Sequence, residues 1–494
     1  MIRIAPLFLL AICACTVGPD YQKPDSPVPV AYKELKGWVI AQPQDAAARG
    51  AWWSVYNDPL LDRLEREVVV DNQAVKQFEA QYRTAVALVG EARAGLFPTV
   101  SLNPDLTRTS GASTRGGSAV INTPSSGIIS GGGGGGGPRS QFSLEGSIDW
   151  SLDVWGRIRR QVESNVAGAQ VSAADLANAT LSAQAALATD YFDLRAEDSL
   201  EQLLRETVRA YAEALRILEN QFRAGTIAEG DVATQEAQLE SARAQLAGVG
   251  VQRAIFEHAI AVLTGHAPAE VTIPPGPLAA QVPVMPPGLP STLLQRRPDI
   301  AAAERQMHEQ NALIGVQQAA YYPDISLSAL GGFVASPLSQ LFTTPARIWS
   351  LGAAASETLY SGGARPAAME AARATYDASV ANYRQVVLTA LQQVEDQLSS
   401  LRILEQQDRA ASIAVSAARH ALQVVQNEYN AGTVAYTSVI VQQTALLGNQ
   451  QSELAVHQSR LVASVALIAA LGGGWDASQL PDAGVIKGAN PAYP

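Results

Sequence analysis

Leu215 to Leu239, LRILENQFRAGTIAEGDVATQEAQL, returns 207 residues later as Leu422 to Leu446, LQVVQNEYNAGTVAYTSVIVQQTAL, with nine of the 25 aligned pairs identical. About one or two identities are expected of unrelated segments, so the chain is built from two copies of one plan. Asn220/Asn427, Ala224/Ala431, Gly225/Gly432, Thr226/Thr433 and Val232/Val439 are among the shared pairs. Each copy follows a long run without Gly or Pro, Ala169 to Ala224 and Ala367 to Ala431. As helices these runs are about 85 and 100 Å long at 1.5 Å per residue, rare lengths for a globular domain. A heptad seam closes each run, with Leu204, Val208, Tyr211, Leu215, Leu218 and Phe222 matched by Ala411, Val415, Ala418, Leu422, Val425 and Tyr429. The average repeat of about 3.5 residues predicts left-handed supercoiling against neighbours. Ala-Gly-Thr then signals a turn, and a second helical stretch returns over Val232 to Leu263 and Val439 to Leu471. Each copy therefore reads as a long helical hairpin with Gly225 or Gly432 at its tip.

Each hairpin is preceded by a strand pair. Phe142, Leu144, Gly146, Ile148, Trp150, Leu152 and Val154 alternate with Ser and acidic residues, a period-2 strand with one apolar face. That pattern fits a transmembrane barrel strand and equally a half-buried strand of a soluble sheet. Ile325 to Ala335 and Trp349 to Ala355 form the second pair, and a helical pattern over Asp58 to Ala94, stopped by Phe97-Pro98, precedes the first. Each half thus reads helix, strand, strand, long helix, helix. The expected layout is a leader over 1–14 and an extended N-terminal segment over 15–57. A first repeat then covers 58–268, with strands near 99–108 and 141–154 and a hairpin over 156–265. A Pro-rich linker fills 269–290. The second repeat covers 291–475, with strands near 323–335 and 347–359 and a hairpin over 364–471, and a loose tail fills 476–494. The 109–140 segment, with seven consecutive glycines from Gly131 to Gly137, reads as an exposed loop. Four strands cannot close a barrel, and lipid does not tolerate free strand edges. Oligomerisation follows, and three copies would supply twelve strands.

The first residues fix an address. Arg3, the short apolar stretch Ile4 to Ile12, and Ala14 before Cys15 resemble a bacterial lipoprotein signal. An ordinary secretory signal is the alternative. After cleavage Cys15 would be the first residue and carry acyl chains; Thr16 at the next position, rather than Asp, resembles an outer-membrane address. Cys13 and Cys15 are the chain's two cysteines, so a mature chain starting at Cys15 has no thiol for disulfides or Cys-rich metal sites. A net charge of -11 argues against a nucleic-acid partner, which needs a basic face. The five histidines are scattered without metal-ligand spacing, and no nucleophile elbow or phosphate-binding loop is present, which argues against an enzyme.

Five strings in order carry a resemblance: Cys15-Thr16-Val17-Gly18-Pro19-Asp20-Tyr21; Trp52-Trp53 with Asp58-Pro59-Leu60-Leu61; Asp149 to Arg157 (DWSLDVWGR); Gly288 to Ile300 (GLPSTLLQRRPDI); and Leu471-Gly472-Gly473-Gly474-Trp475. They resemble the TolC-like outer membrane efflux proteins, in the lipoprotein branch that includes OprM and is often labelled NodT. The resemblance implies a mainly α fold with a transmembrane β-barrel and two structural repeats per chain. It implies a homotrimer whose twelve strands form one barrel in outer-membrane lipid, continued by a long periplasmic α-helical barrel. It further implies a periplasmic adaptor at the tips, at Gly225, Thr226, Gly432 and Thr433, and an inner-membrane pump of the resistance-nodulation-division class. No cofactor is implied beyond acyl chains on Cys15. Some members of the branch close their gate with an acidic residue six positions before the second tip glycine. Gln426 stands there in this chain, leaving Glu219, Arg223 and Glu428 as the charged gate candidates close by. Arg296-Arg297 reads as fixing an equatorial belt through an ion pair to Asp299 or another carboxylate. The competing readings are an exit duct for an ATP-driven protein exporter and a non-conducting coiled-coil spacer lipoprotein.

Overall fold

A computed structural model describes residues 16–25, 28–29, 31–35, 51–109, 139–279, 281–283 and 293–488. The leader, Cys15, the Gly131 to Gly137 run and the Gly288 to Thr292 part of the belt string lie outside the described residues. The order of elements is α1 Pro59–Asp71, α2 Gln73–Ala94, β1 Thr99–Thr109, β2 Arg139–Leu152, α3 Arg157–Arg223 and α4 Glu229–Leu263, then α5 Leu293–Arg296, α6 Pro298–Ala319, β3 Asp324–Ala335, β4 Arg347–Ser356, α7 Ala364–Asn430, α8 Tyr436–Ala470 and α9 Ala483–Gly488. The duplication is exact in the boundaries of the two helical hairpins. α3 and α7 both have 67 residues, α4 and α8 both have 35, and every boundary of the second hairpin lies 207 residues after its counterpart. The chain divides into two compact units.

One unit draws on Met1–Tyr21, Leu88–Asn165 and Gln310–Thr375. It holds a four-stranded antiparallel sheet in the order β1-β2-β3-β4. The register sets apolar residues opposite one another across the strands: Val100 meets Ile148, which meets Ala329, which meets Leu351. Alternation then puts Val100, Leu102, Leu106, Ile148 and Trp150 on one face, and all are exposed. Pro104 sits in β1, an edge strand of this sheet, where a missing donor is tolerated. β2 ends at Leu152, two residues before the predicted end. The Asp153 carboxylate instead accepts from the Ile158 and Arg159 amides at 2.8 and 3.0 Å, capping α3. Two indoles bind this corner, Trp150 donating to the Leu96 carbonyl at 3.0 Å and Trp155 to that of Pro323 at 2.8 Å. The segment just after Cys15 is bound here too. Arg160 donates to the carbonyls of Val17 and Gly18, at 3.1 Å each, and to Asp20 at 3.0 Å, while Asn311 donates to the Pro19 carbonyl at 2.9 Å.

The other unit draws on Gln22–Ala87, Val166–Glu309 and Tyr376–Pro494. Its main core packs Trp52, Trp53, Leu61, Leu64 and Val68 against Leu187, Tyr191 and Phe192 of α3, Ile260 of α4, and Leu461, Val465 and Ile468 of α8. The indole of Trp53 donates to Asp62 at 3.0 Å and that of Trp52 to Gln184 at 3.4 Å, which satisfies both buried donors. The Asp58 carboxylate caps α1 through the Leu60 and Leu61 amides, with Pro59 at the first helical position.

Three expectations need correction. Asp58 to Ala94 is not one helix, because Asn72 breaks it into α1 and α2. Its carboxamide oxygen accepts from the Val75 amide at 3.0 Å as a new N-cap, and its nitrogen reaches the Leu263 carbonyl at 2.8 Å. Nor is the tail loose up to Gly488. Asp476 caps a 3-10 turn over Ala477–Gln479, Gln170 donates to the Pro481 carbonyl at 3.0 Å, and α9 buries Ile486. Nor is the N-terminal segment simply extended, since Lys33–Leu35 and Trp52–Tyr56 are 3-10 turns.

Candidate gate and docking site at the hairpin tips

The two long helices end alike. In the first, Gly225 donates to the Phe222 carbonyl at 2.8 Å and Thr226 to that of Gln221 at 3.0 Å. In the second, Gly432 donates to Tyr429 at 2.9 Å and Thr433 to Glu428 at 3.0 Å. These paired bonds are the Schellman cap, which satisfies carbonyls the helix end would leave orphaned. It requires a left-handed residue, and φ is 72° at Gly225 and 76° at Gly432. The threonine hydroxyls add a second bond to the same carbonyls, at 2.9 Å in each tip. No atom lies within 4 Å of where a Cβ would stand on either glycine, so conformation rather than crowding demands glycine. Both tips are exposed, which leaves their backbone free for a partner.

The tips differ in charge and are tied together. α4 opens with Glu229 and Asp231 in its first turn, where the helix dipole favours acids, whereas α8 opens without any. The Tyr429 hydroxyl of the second hairpin donates to the Gln221 side chain of the first at 2.8 Å. Tyr429 also stands edge-on to Tyr436 with centroids 5.1 Å apart. Beneath them Leu218, Tyr436, Val439 and Ile440 form a buried cluster, joined by Leu422 and Val425. Burial raises the Tyr436 phenol to about 12, with the neighbouring Tyr429 adding to the shift, so it stays neutral at any physiological pH. Leu204, Tyr211, Leu218 and Val415 of the heptad seams are buried, while Phe222 is exposed at the tip.

Glu219, Arg223, Gln426 and Glu428 are all exposed near the tips, and among the described residues none is ion-paired with another. The Tyr429–Gln221 tie escaped sequence reasoning, although Tyr429 was placed in the seam, because the contact joins residues 208 apart. A second missed feature is an acidic stripe on α3. Asp190, Asp193 and Glu197 share one face, and burial raises all three carboxyls, Asp190 to about 6 with the Asp193 charge adding. The spacing 190, 193, 197 was the available signal.

The outer membrane efflux protein family model matches residues 66–266 and 289–473. The probable efflux pump outer membrane protein TtgC of Pseudomonas putida is 29% identical over 473 residues, covering 93% of each chain. The solvent efflux pump outer membrane protein SrpC of the same species is 31% identical over 482 residues, covering 96% of this chain and 98% of the relative. Among solved structures, the outer-membrane channel OprN superposes with a TM-score of 0.81 at 29% identity, covering 93% of this chain and 100% of that one. With both hairpins inside the matched residues and each continuing in sequence from a sheet strand, the chain belongs to the outer membrane efflux protein family and is an outer-membrane efflux channel.

Proposed function

We propose that the chain is the exit duct of a tripartite export machine and works as a homotrimer. Three copies supply twelve strands to one barrel in outer-membrane lipid, which removes the free edges of β1 and β4. A periplasmic adaptor engages Gly225, Thr226, Gly432 and Thr433, and an inner-membrane pump of the resistance-nodulation-division class loads the duct. Acyl chains on Cys15 anchor it, and it performs no catalysis. The observation that carries this reading is the pair of exposed, identically capped tips joined by Tyr429 and Gln221, a closure that a partner at the tips can release. The gate candidates Glu219, Arg223, Gln426 and Glu428 surround that closure.

Planar-bilayer recording tests the duct: the purified protein gives discrete conductance steps once its tips are loosened. A protein that never conducts, even with Gln221→Ala and Tyr429→Phe combined, is a spacer instead. Labelled fatty acid is expected to enter the native chain and not Cys15→Ser; incorporation into the variant would move acylation to Cys13. An exit duct for an ATP-driven protein exporter remains the second reading, and capture of the cognate inner-membrane partner by cross-linking separates the two.

A further inference from the structure

The charges of the sheet strands and their loops are sorted by end. In a chain of net charge -11, the stretch from Leu106 to Leu144 holds Arg108, Arg115 and Arg139 and no acid. The stretch from Ile325 to Ser356 holds Arg347 as its sole charged residue. Asp149, Asp153 and Asp324 stand at the other end of the strands, beside the start of α3. Asp105 and Glu145 lie on the opposite face of the sheet from Arg108, and the Thr107 hydroxyl donates to Asp105 at 2.5 Å. Arg108 and Arg347 are both exposed, and among the described residues neither is hydrogen-bonded or ion-paired. Alternation sets Arg108 on the face of Leu102 and Leu106, and Arg347 on that of Trp349 and Leu351, all four apolar residues being exposed. The register puts Arg347 opposite Phe333, which meets Phe342 of the β3–β4 loop edge-on with centroids 5.5 Å apart. Phe342 and Leu338 are exposed too, so the apolar face runs on past the strands and carries guanidinium groups at its margin. The two arginines are matched in height. Each stands nine residues from the far end of its edge strand, counted from Thr99 in β1 and from Ser356 in β4. At about 3.4 Å per residue and a tilt of about 40°, that is roughly 23 Å, the far margin of the apolar band of a membrane barrel.

We infer that Arg108 and Arg347 form a collar that binds the phosphate groups of a phosphorylated glycolipid in the outer leaflet, whose acyl chains lie along the apolar face and Phe342. The inference rests on the reading that the strands close a barrel in outer-membrane lipid, and it adds a ligand to that reading. The loop after β1 and the loop before β4 lie at the end of the strands away from α3 and α7, which the duct reading places outside the cell. A charged side chain on a lipid-facing strand is tolerated near the interface, where head groups can pair with it. Arginine suits phosphate because its planar fork donates two parallel bonds to one anion. Position selects lipid over a solute leaving the duct, because both arginines share the apolar face rather than the polar one. The loops give the same answer, since neither holds an acid to neutralise the collar from within the chain. Closure would set β4 of one copy beside β1 of the next, with Arg347 and Arg108 at one height on neighbouring strands. Like charges so placed repel unless an anion is shared between them.

Native mass spectrometry of the full-length protein in detergent, titrated with diphosphorylated lipid A, provides the test. Trimers are expected to retain the lipid, and to hold its enzymatically dephosphorylated form about tenfold more weakly. Arg108→Gln combined with Arg347→Gln should cause a like loss while keeping the trimer mass. Arg157→Gln, which removes an exposed charge at the other end of the strands, should leave retention unchanged. Equal retention of the two lipid forms by the native trimer overturns the collar, and that comparison needs no variant to fold. Undiminished retention by the double variant overturns it as well. Inorganic phosphate that displaces lipid A at equal concentration marks a site for the anion alone and overturns the lipid assignment. Monomers in the same spectra, or protein that stays outside phosphatidylcholine vesicles containing lipid A, overturn the barrel reading and the collar with it.

Discussion

Arg297 donates to the carbonyl of Ala470 at 2.9 Å, across 173 residues, while its other nitrogens grip both oxygens of Asp299 at 3.0 and 2.6 Å. The bond joins the start of the second repeat to the end of its last helix. Both partners belong to strings that looked merely characteristic in the sequence, Arg296-Arg297-Pro298-Asp299 and the run into Gly472-Gly473-Gly474-Trp475. Beside them Gly472, at φ 97°, lies against the Arg296 carbonyl so closely that no Cβ would fit. The two motifs are thus one structural joint.

Arg297→Ala is expected to destabilise the protein strongly, by about 2–4 kcal/mol, because it takes the counter-ion from Asp299 and the donor from the Ala470 carbonyl. Arg297→Lys should recover only part of that loss, since an ammonium cannot serve a bidentate carboxylate and a carbonyl with one planar fork. Thermal unfolding in detergent, followed by circular dichroism, ranks the three chains. Equal melting points for Arg297→Lys and the native chain would show the fork geometry to be unimportant.

Glu65 makes stability depend on pH. It is 0% exposed, neither carboxyl oxygen has a hydrogen-bond partner, and burial raises its carboxyl to about 9. The folded state therefore holds a proton that the unfolded chain releases above about 4.5. Stability from this group is complete below that value, falls by up to about 1.4 kcal/mol per pH unit as pH rises, and levels off above about 9. Glu65→Gln is expected to flatten the fall between pH 5 and pH 8.5 and to stabilise the protein at pH 8, by on the order of 1–3 kcal/mol. Melting curves across that range check the slope; parallel curves for the two chains would show that Glu65 does not hold its proton.

Some of this architecture was legible in sequence because it is periodic or local. The 207-residue offset, the seams and the Ala-Gly-Thr stops depend on spacing within one helix, and the boundaries Arg157/Ala364 and Leu263/Ala470 keep that offset. Asn72 was invisible because a helix-compatible run of residues continues on both sides of it, and only the Leu263 carbonyl and the Val75 amide make its break favourable. Glu65 reads as one more surface acid of a charged helix, since nothing local reveals a burial imposed by the fold. The candidate gate was half legible. The tips announce themselves through glycine, but the contact that joins them is tertiary.

At the tips themselves, conformation and contact can be separated. Gly432→Ala and Gly225→Ala have room for the new methyl but hold it at positive φ, at a cost of about 1 kcal/mol each. Gly432→Val costs more, because a β-branched residue resists the left-handed conformation. Trimers are expected to survive all three changes, while Gly225→Val combined with Gly432→Val cripples export in a drug-accumulation assay. Undiminished export from that double variant would remove the tips as the adaptor's contact.

Tyr429→Phe deletes one hydroxyl and with it the bond to Gln221 that ties one hairpin to the other. The ring, its edge-on contact with Tyr436 and the cluster around Leu218 all remain. A neutral hydrogen bond of this kind contributes about 0.5–1.5 kcal/mol, a roughly two- to tenfold change in the balance between tied and untied tips. Open time in planar bilayers is expected to rise by about that factor. Gln221→Ala should match it, and the double substitution should add little beyond either alone, because both remove the same bond. Fully additive effects would mean that the two residues act on the closed tips separately, and that their 2.8 Å contact does not hold the tips together.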